Sequence, residues 1–288
     1  MLHEFVKNIR TIDGHIISLH IFSPTNVEFH QSKCDGVILA VHGLGEYVKR
    51  YKHLAEITCH KNKIFAIYDV RGHGENAEKK GDVQNFPCLI TDVVHAFNTL
   101  KNLFPHIRRD SFSLFGHSFG GLQATYAASI LKHEVKKLFL SAPGYSTKDK
   151  IAPWKILLAN NVANLFPHLI IPIGFNTNNI SNNPENNSDY KNDPLVIKAV
   201  TARFGKMLLD AMTEENIVAA IENVTAHVTL LIPNDDRVID SNYTKQISKL
   251  FNSLEHVYEV KGAGHEAFNE TKNIQNTAFG HYEKWLGH

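Results

Sequence analysis

Short runs of consecutive apolar residues alternate along this chain with segments in which apolar residues recur at helical spacing. The runs lie at residues 37–41, 64–68, 112–115, 138–140 and 228–232, and a further strand is expected at 257–260. Strands that are apolar throughout are buried on both faces, and the helices between them cross over the sheet. The pattern predicts an α/β fold with a mostly parallel central sheet and helices on both faces.

The spacing of apolar residues predicts two of the helices that cover the sheet, each with one apolar face. The first face consists of Leu89, Val93, Ala96, Phe97 and Leu100, and the last consists of Ile274, Ala278, Tyr282, Trp285 and Leu286. The beginning of the chain follows another pattern, because the dipeptide Asp13-Gly14 separates two stretches of alternating apolar and polar residues. Such a dipeptide favours a tight turn, so an N-terminal β-hairpin is expected.

The alternation of strands and helices is interrupted after residue 143. Residues 152–175 are mostly apolar but are broken by Lys155, Asn160, Asn161, Asn164, Pro167 and Pro172, which leaves no run long enough for a membrane-spanning helix. Residues 176–187 are rich in asparagine, and this polar, turn-prone composition predicts an exposed loop. We therefore expect an insertion at 144–204 within a core made of residues 1–143 and 205–288.

The composition narrows the class of protein. Of 288 residues, 43% are hydrophobic and 20% are charged, which is typical of a globular chain and excludes collagen-like, coiled-coil and wholly disordered proteins. With 30 Lys and Arg against 29 Asp and Glu, the net charge of +1 offers no general attraction for nucleic acid. No nucleic-acid partner is expected.

The compartment is inferred from the cysteines and the first residues. Cys34, Cys59 and Cys88 are widely spaced and cannot all pair with one another, which favours a reducing compartment. Glu4 and Lys7 interrupt the apolar run that a signal peptide would need. These features predict a cytoplasmic protein, and the interrupted apolar insertion could still lie against a lipid surface.

The segment 116–120, with sequence GHSFG, matches the pattern G-x-S-x-G. The pattern alone is weak, but here it lies between a predicted strand, 112–115, and an alanine-rich helical segment that begins near Gly121. That context is the one required by a nucleophile elbow, in which glycines allow close packing around a strained serine. Ser118 is therefore the candidate nucleophile, and an ordinary glycine turn is the alternative.

A serine hydroxyl needs a base and an orienting acid to become a good nucleophile. Asp235 and Asp236 follow the predicted strand 228–232, and His265 follows the predicted strand 257–260 within the glycine-flanked turn 262–265. Ligands collect at the carboxyl ends of parallel strands, so all three positions lie at the expected edge. Spacing alone does not choose between the two aspartates.

The oxyanion of an acyl-transfer reaction usually needs two backbone N–H donors. We expect one from Phe119, the residue after the candidate nucleophile, and one from Leu44 in the glycine-rich loop 42–46, for which a plain glycine-rich turn is the alternative.

Motifs for cofactors and metals are weak or missing in the sequence. The segment 72–77 only superficially matches a dinucleotide fingerprint, and there is no P-loop or HExxH pattern. No metal or cofactor is expected.

Several motifs together resemble those of the monoglyceride lipase and lysophospholipase branch of the α/β-hydrolases, which is related to the serine aminopeptidase group. They are HGLGE at 42–46 with Arg50-Tyr51, DVRGHG at 69–74, GHSFGG at 116–121, SAP at 141–143, DPL at 193–195, Asp236-Arg237 and GAGH at 262–265. The resemblance covers nearly the whole chain. It implies an α/β-hydrolase fold in which Ser118, Asp236 and His265 form the catalytic triad and the amides of Leu44 and Phe119 form the oxyanion hole.

The resemblance also implies that residues 144–204 are a helical cap over the active site, with peripheral membrane contact. The apolar residues Leu157, Leu158, Val162 and Leu165 would then bind the acyl chain, although they could simply pack the cap onto the core. The implied substrate is a monoacylglycerol or a lysophospholipid. A general carboxylesterase or thioesterase, an aminopeptidase using acids near Glu185, Asp189 and Asp193, and a non-catalytic binding module are the alternatives.

Three departures from the family pattern stand out. The turn before the acid contains Asn234 where relatives usually have glycine, Asn76 replaces a common serine, and the asparagine-rich run is unlike the family.

Overall fold

The computed structural model describes residues 2–25, 33–75, 77, 79–173 and 176–287. The strands are β1 (His3–Arg10), β2 (Ile16–Ser23), β3 (Gly36–Val41), β4 (Lys63–Tyr68), β5 (Phe112–His117), β6 (Lys137–Ser141), β7 (Ile170–Pro172), β8 (Ala199–Thr201), β9 (His227–Pro233) and β10 (Leu254–Val260). The helices are α1 (Lys52–His60), α2 (Phe86–Leu103), α3 (Phe119–Leu131), α4 (Pro153–Leu165), α5 (Pro184–Asn192), α6 (Ala202–Ala211), α7 (Glu214–Glu222), α8 (Ser241–Ile247) and α9 (Lys272–Gly287).

The main sheet has the strand order β1-β2-β4-β3-β5-β6-β9-β10. Strand β2 pairs antiparallel with both β1 and β4, and all other neighbours in the sheet are parallel. The predicted α/β fold with a mostly parallel sheet is confirmed. The carboxyl ends of β3, β5, β9 and β10 lie at one edge, so the loops that follow them can form a common site.

Helices cover both faces of this sheet, and the strands show why. In β3, Val37, Leu39 and Val41 pack into one apolar cluster with α2, α3 and α7, whereas Ile38 and Ala40 pack into another with α1 and α9. Successive side chains of a strand point to opposite faces, so a strand buried on both faces must be apolar throughout.

The predicted N-terminal hairpin is also present. Strands β1 and β2 pair in register with Ile9 opposite Ile17. Gly14 in the connecting turn has a φ of +86°, a conformation that glycine adopts without strain. Arg71 binds the carboxylate of Asp13 at 2.6 Å and that of Asp92 at 2.5 Å, which ties the hairpin turn to α2.

The insertion contains α4, β7, α5 and β8, with β7 and β8 paired antiparallel in a separate two-stranded sheet. The predicted boundary at residue 204 falls inside α6, which continues to Ala211. The prediction of an exposed loop over residues 176–187 is wrong in part, because α5 begins at Pro184 and because Ile180 and Ser181 are buried. Asn183 accepts a hydrogen bond from the Glu185 amide and Pro184 follows it, so the chain carries an N-cap and a first-turn proline.

Within the part of the chain that the structure describes, no helix combines the length and the apolar character needed to cross a bilayer. Asn76, one of the departures from the family pattern, lies outside the described residues.

Candidate active site

Ser118 lies in the sharp turn between β5 and α3, with φ of +53° and ψ of −121°. This backbone conformation is unfavourable for a residue with a Cβ and persists only where the surroundings enforce it. The flanking glycines allow the turn to pack closely. A Cβ on Gly116 would lie 2.5 Å from the Gly120 carbonyl oxygen, and a Cβ on Gly120 would clash with the Val41 carbonyl oxygen.

The structure brings Ser118, His265 and Asp236 together in a chain of hydrogen bonds. His265 Nε2 lies 2.8 Å from Ser118 Oγ, and His265 Nδ1 lies 2.7 Å from Asp236 Oδ2. An ionised carboxylate can only accept, so Nδ1 carries a proton and Nε2 is left to accept from the serine hydroxyl. These side chains come from the ends of β5, β9 and β10, as the sequence predicts.

The two adjacent aspartates have different surroundings. Asp236 is buried, and its Oδ1 accepts hydrogen bonds from the amides of Val238 at 2.8 Å and Ile239 at 3.0 Å. Asp235 has an exposed side chain, while its backbone N–H donates to the Ala263 carbonyl at 2.9 Å. Only Asp236 therefore contacts His265, and Asp235 contributes to the turn through its backbone.

The environment favours ionisation of both partners in the buried pair. Burial opposes the charge on Asp236, but the charge and hydrogen bond of His265 and the two backbone amides outweigh it and lower the pKa. Burial likewise opposes protonation of His265, but the charge and hydrogen bond of Asp236, with further help from Glu266 and Glu46, raise its pKa above the ordinary value. The site is therefore suited to stabilise an imidazolium.

The two predicted oxyanion donors lie at the start of α3 and in the loop that follows β3. Phe119 is the first residue of α3, so its N–H has no partner within the helix. The loop that carries Leu44 is held by Glu46, whose Oε2 accepts from the Gly43 amide at 2.6 Å. A Cβ on Gly43 would lie 3.2 Å from the Cβ of Ser118, so this loop approaches the elbow closely.

Sequence reasoning missed two buried residues that lie beside the triad. The ring of His117 lies 4.9 Å from that of His265, and burial, followed by the charge of His265, lowers the pKa of His117 to about 3. Glu266 follows His265 and is buried. Both lie beside predicted catalytic positions, but nothing in the spacing signals a role for them.

The four candidate acyl-binding residues belong to α4. Leu157, Leu158 and Leu165 are 63%, 53% and 73% exposed, and Val162 is partly buried. The sequence predicts that these residues line an acyl tunnel or pack the cap onto the core. In the structure, three of the four side chains face solvent.

Metal ligands do not gather anywhere in the described ranges, where no group of three His, Cys, Asp or Glu side chains is arranged to hold an ion.

Comparison with known proteins identifies the class. Residues 32–272 match the model of the hydrolase family described as serine aminopeptidase, S33. Because this match covers most of the chain, the protein belongs to that family of α/β-hydrolases.

Individual relatives cover nearly the whole chain. Rat monoglyceride lipase is 25% identical over 290 residues, which cover 99% of this chain and 91% of that protein. Phospholipase YtpA of Bacillus subtilis is 24% identical over 239 residues, 81% of this chain and 89% of its own. A soluble variant of Saccharomyces cerevisiae monoglyceride lipase, solved with a substrate analogue, has a TM-score of 0.80 at 21% identity, with 98% and 94% of the two chains covered. This last likeness shows the fold.

Proposed function

We propose that the protein is a serine carboxylic-ester hydrolase that cleaves monoacylglycerol to a fatty acid and glycerol through an acyl-enzyme. The observation that carries this proposal is the hydrogen-bond chain from Ser118 Oγ through His265 to Asp236, with distances of 2.8 and 2.7 Å. Similarity to lipases supports the ester as substrate.

Acylation begins when Ser118 Oγ attacks the ester carbonyl carbon while neutral His265 takes the hydroxyl proton on Nε2. Asp236 stabilises the imidazolium that results, and the amides of Leu44 and Phe119 bind the oxyanion. The intermediate collapses by breaking the bond to the alcohol oxygen, which takes the proton from His265. Glycerol leaves, and the acyl group remains on Ser118.

Deacylation repeats the same steps with water. His265 removes a proton from a water molecule whose oxygen attacks the acyl carbon, and the bond to Ser118 Oγ then breaks as the proton returns to it. The fatty acid leaves and the free serine is restored. The protons therefore move only between His265, Ser118, the leaving alcohol and water, while the two amides donate hydrogen bonds to the oxyanion.

Lysophospholipid is the second candidate substrate, and the similarity to a bacterial phospholipase favours it. The aminopeptidase alternative has less support, because Glu185 and Asp189 have exposed side chains on α5 and Asp193 accepts a hydrogen bond from Tyr47 at 2.5 Å. None of these placements favours a site for a substrate amine. A thioesterase or general carboxylesterase would use the same triad.

A competition assay separates these substrates. Monoacylglycerol, lysophosphatidylcholine, an acyl thioester and an aminoacyl amide are offered to the enzyme under one set of conditions, and the released acids are quantified. Monoacylglycerol is expected to have the highest kcat/KM, because its small neutral head group makes no demand for a charged partner. Preferred cleavage of the amide would contradict the proposal. Failure of Ser118 to react with a fluorophosphonate would favour a binding module.

We also propose that residues 144–204 form a cap whose α4 makes peripheral contact with lipid. Among the described residues of this region, the exposed large apolar side chains are Trp154, Ile156, Leu157, Leu158, Leu165, Phe166, Leu169 and Ile170. Monomeric proteins rarely expose apolar side chains in such number on one segment unless it contacts another surface. A lipid surface would supply both the apolar contact and the substrate.

Replacing Leu157 and Leu165 by serine is expected to weaken binding to phosphatidylcholine vesicles roughly tenfold or more, since each leucine loses an apolar burial of about 1.5–3 kcal/mol. Co-sedimentation with vesicles measures the effect. Hydrolysis of monoacylglycerol in vesicles should fall in parallel, while hydrolysis of a short soluble ester is retained. Ile130→Ser, an exposed position on α3, is the matched control. Equal vesicle binding by both variants would contradict lipid contact through α4.

A further inference from the structure

A buried cluster of charged side chains lies next to the triad but takes no proton in the proposed reaction. Arg50 binds Glu266 Oε2 through a terminal nitrogen at 2.5 Å, and its Nε lies 3.5 Å from Glu46 Oε1. The side chain of Arg50 is 9% exposed and those of both glutamates are 4% exposed. Buried charges are costly unless they are paired. Any movement that separated Arg50 from the glutamates would leave a charge buried without a partner, so the three side chains are held in place.

Each glutamate is attached to a different part of the site. Glu46 Oε2 accepts from the Gly43 amide at 2.6 Å and from the Tyr51 hydroxyl at 2.6 Å, which ties it to the loop of the Leu44 donor. Glu266 directly follows His265 in the chain. Arg50 therefore joins the oxyanion loop to the turn that carries the catalytic base.

Helix α5 of the insertion completes the cluster. Asn186 Nδ2 donates to Glu266 Oε2 at 2.9 Å, and Asn186 Oδ1 accepts from Arg50 at 3.1 Å. Tyr190, one turn further along, donates its hydroxyl to the Leu44 carbonyl at 3.2 Å and lies beneath the Arg50 guanidinium, which is 4.9 Å from the ring centre. The single residue Asn186 thus contacts both ions of the buried pair.

The chain just before α5 makes a second set of contacts with the same turn. The Asn182 amide and the Gly264 amide both donate to Glu270 Oε1, each at 2.7 Å. Asn182 Nδ2 donates to the Gly262 carbonyl at 2.9 Å, and the Glu266 amide donates to the Ile180 carbonyl at 2.8 Å. Residues 180–190, which we call the docking segment, are therefore bonded to the His265 turn before and after the histidine.

We propose that the docking segment is a fixed part of the active site and that Asn186 is a positioning residue, acting on His265 through Glu266 and on the oxyanion loop through Arg50. This inference rests on the proposed hydrolase function. Most of the segment lies in the asparagine-rich run, whose amides are neutral and both donate and accept. An amide at position 186 can therefore bond to a cation and an anion at once without changing the charge of the cluster.

The charge of the cluster bears on the protonation of His265. Four titratable groups act on the histidine: Asp236 after β9, Glu266 in its own turn, Glu46 in the loop that follows β3, and His117 at the end of β5. Arg50 is paired with the two glutamates among them. Arg50 offsets the two glutamates. An added negative charge at position 186 would upset this balance and favour the imidazolium, which cannot act as a base.

Two variants and a matched control test the inference. Asn186→Ala removes both hydrogen bonds, whereas Asn186→Asp keeps the size of the side chain, loses the donor and adds a charge. Asn192→Ala is the control, because this residue of the same helix bonds to Ser188 on the exposed side. We measure kcat and KM for a short soluble ester as a function of pH, per active site titrated with a fluorophosphonate.

Asn186→Ala is expected to lower kcat and the rate of fluorophosphonate labelling about tenfold, with KM within about twofold, because a small displacement of a base has a large effect on rate. Asn186→Asp should show a similar loss and should also move the acid limb of the kcat/KM profile to higher pH, since activity disappears as His265 becomes protonated. Asn192→Ala should match the unaltered protein in every respect.

Unchanged kcat per titrated site in both Asn186 variants would overturn the inference, even if their melting temperatures fell, since a merely structural role moves only stability. An unmoved acid limb in Asn186→Asp would overturn the electrostatic coupling to His265. If the unaltered protein itself neither hydrolyses the ester nor reacts with the fluorophosphonate, it is the proposed function that fails.

Discussion

Ser118→Ala is expected to retain the fold and to lose ester hydrolysis by a factor of about 10⁴ or more. The variant lacks the oxygen atom that attacks the carbonyl, which in the unaltered protein lies 2.8 Å from His265 Nε2. Alanine keeps a Cβ like serine, so it adds no strain to the turn at φ of +53°. The substitution should therefore remove chemistry with little effect on stability.

The loss is measured as kcat/KM on a p-nitrophenyl ester, and circular dichroism reports whether the fold is intact. Ser129→Ala is the matched control, because Ser129 lies on α3 and bonds only locally to the Tyr126 carbonyl. That control should keep full turnover. Hydrolysis by Ser118→Ala at the rate of the unaltered enzyme would rule out the acyl-enzyme mechanism.

The second large effect is expected for Asp236→Asn, which should lower kcat about 10³–10⁴-fold. An amide can present its NH₂ group to His265 Nδ1, and this favours the tautomer that protonates Nε2 and removes the base from Ser118. The amide oxygen can still accept from Val238 and Ile239, so the turn should stay folded.

Asp235→Asn is the control for this experiment, since its exposed side chain is one residue away. Its kcat should stay within about twofold of the unaltered value, because the structure uses only the Asp235 backbone, through the bond to Ala263. Parallel kinetics of the two variants decide the assignment. If Asp235→Asn were inactive and Asp236→Asn active, the acid of the proposed triad would be the wrong one.

The local sequence predicts the framework of this protein well. Residues 37–41 are apolar throughout because β3 has helices on both faces, and that requirement is visible without any knowledge of its neighbours. The elbow is predictable in part for the same reason, because a Cβ on Gly116 would meet the backbone of Gly120, only four residues away. The requirement at Gly120 is not local, since a Cβ there would meet the carbonyl of Val41 in β3.

Other features could not be read locally. The choice between Asp235 and Asp236 depends on which side chain points inward from the turn after β9, and adjacent positions look alike in spacing. The apolar stripe with Leu157 and Leu165 predicts burial in a tunnel or against the core, yet both residues are largely exposed. An apolar side chain gains free energy when it leaves water, and that gain is obtained in a protein interior as well as in a lipid surface. The sequence therefore does not specify which of the two environments surrounds the side chain.

The asparagine-rich run shows most clearly that composition alone does not predict the contacts of a polar residue. Its polar composition predicts an exposed loop, whereas Asn182 and Asn186 are hydrogen-bonded to the turn that carries His265. A polar residue can be satisfied by water or by a buried partner, and only the partner's position distinguishes the two. Here the partners Arg50 and Glu266 lie 136 and 80 residues from Asn186 in the chain.

By itself the sequence determined the strands, the hairpin, the strained turn at Ser118 and the order in which candidate acid and base follow it. These features depend on side-chain alternation and backbone sterics, which act between residues close together in the chain. The spacing of residues left Asp235 and Asp236 open, the family resemblance implied Asp236, and the tertiary structure shows that Asp236 contacts His265. The tertiary structure alone decided that the apolar residues of α4 face solvent and that α5 joins the buried charges. Each of those outcomes depends on how segments far apart in the chain are brought together by the parallel sheet, and no short-range pattern records that geometry.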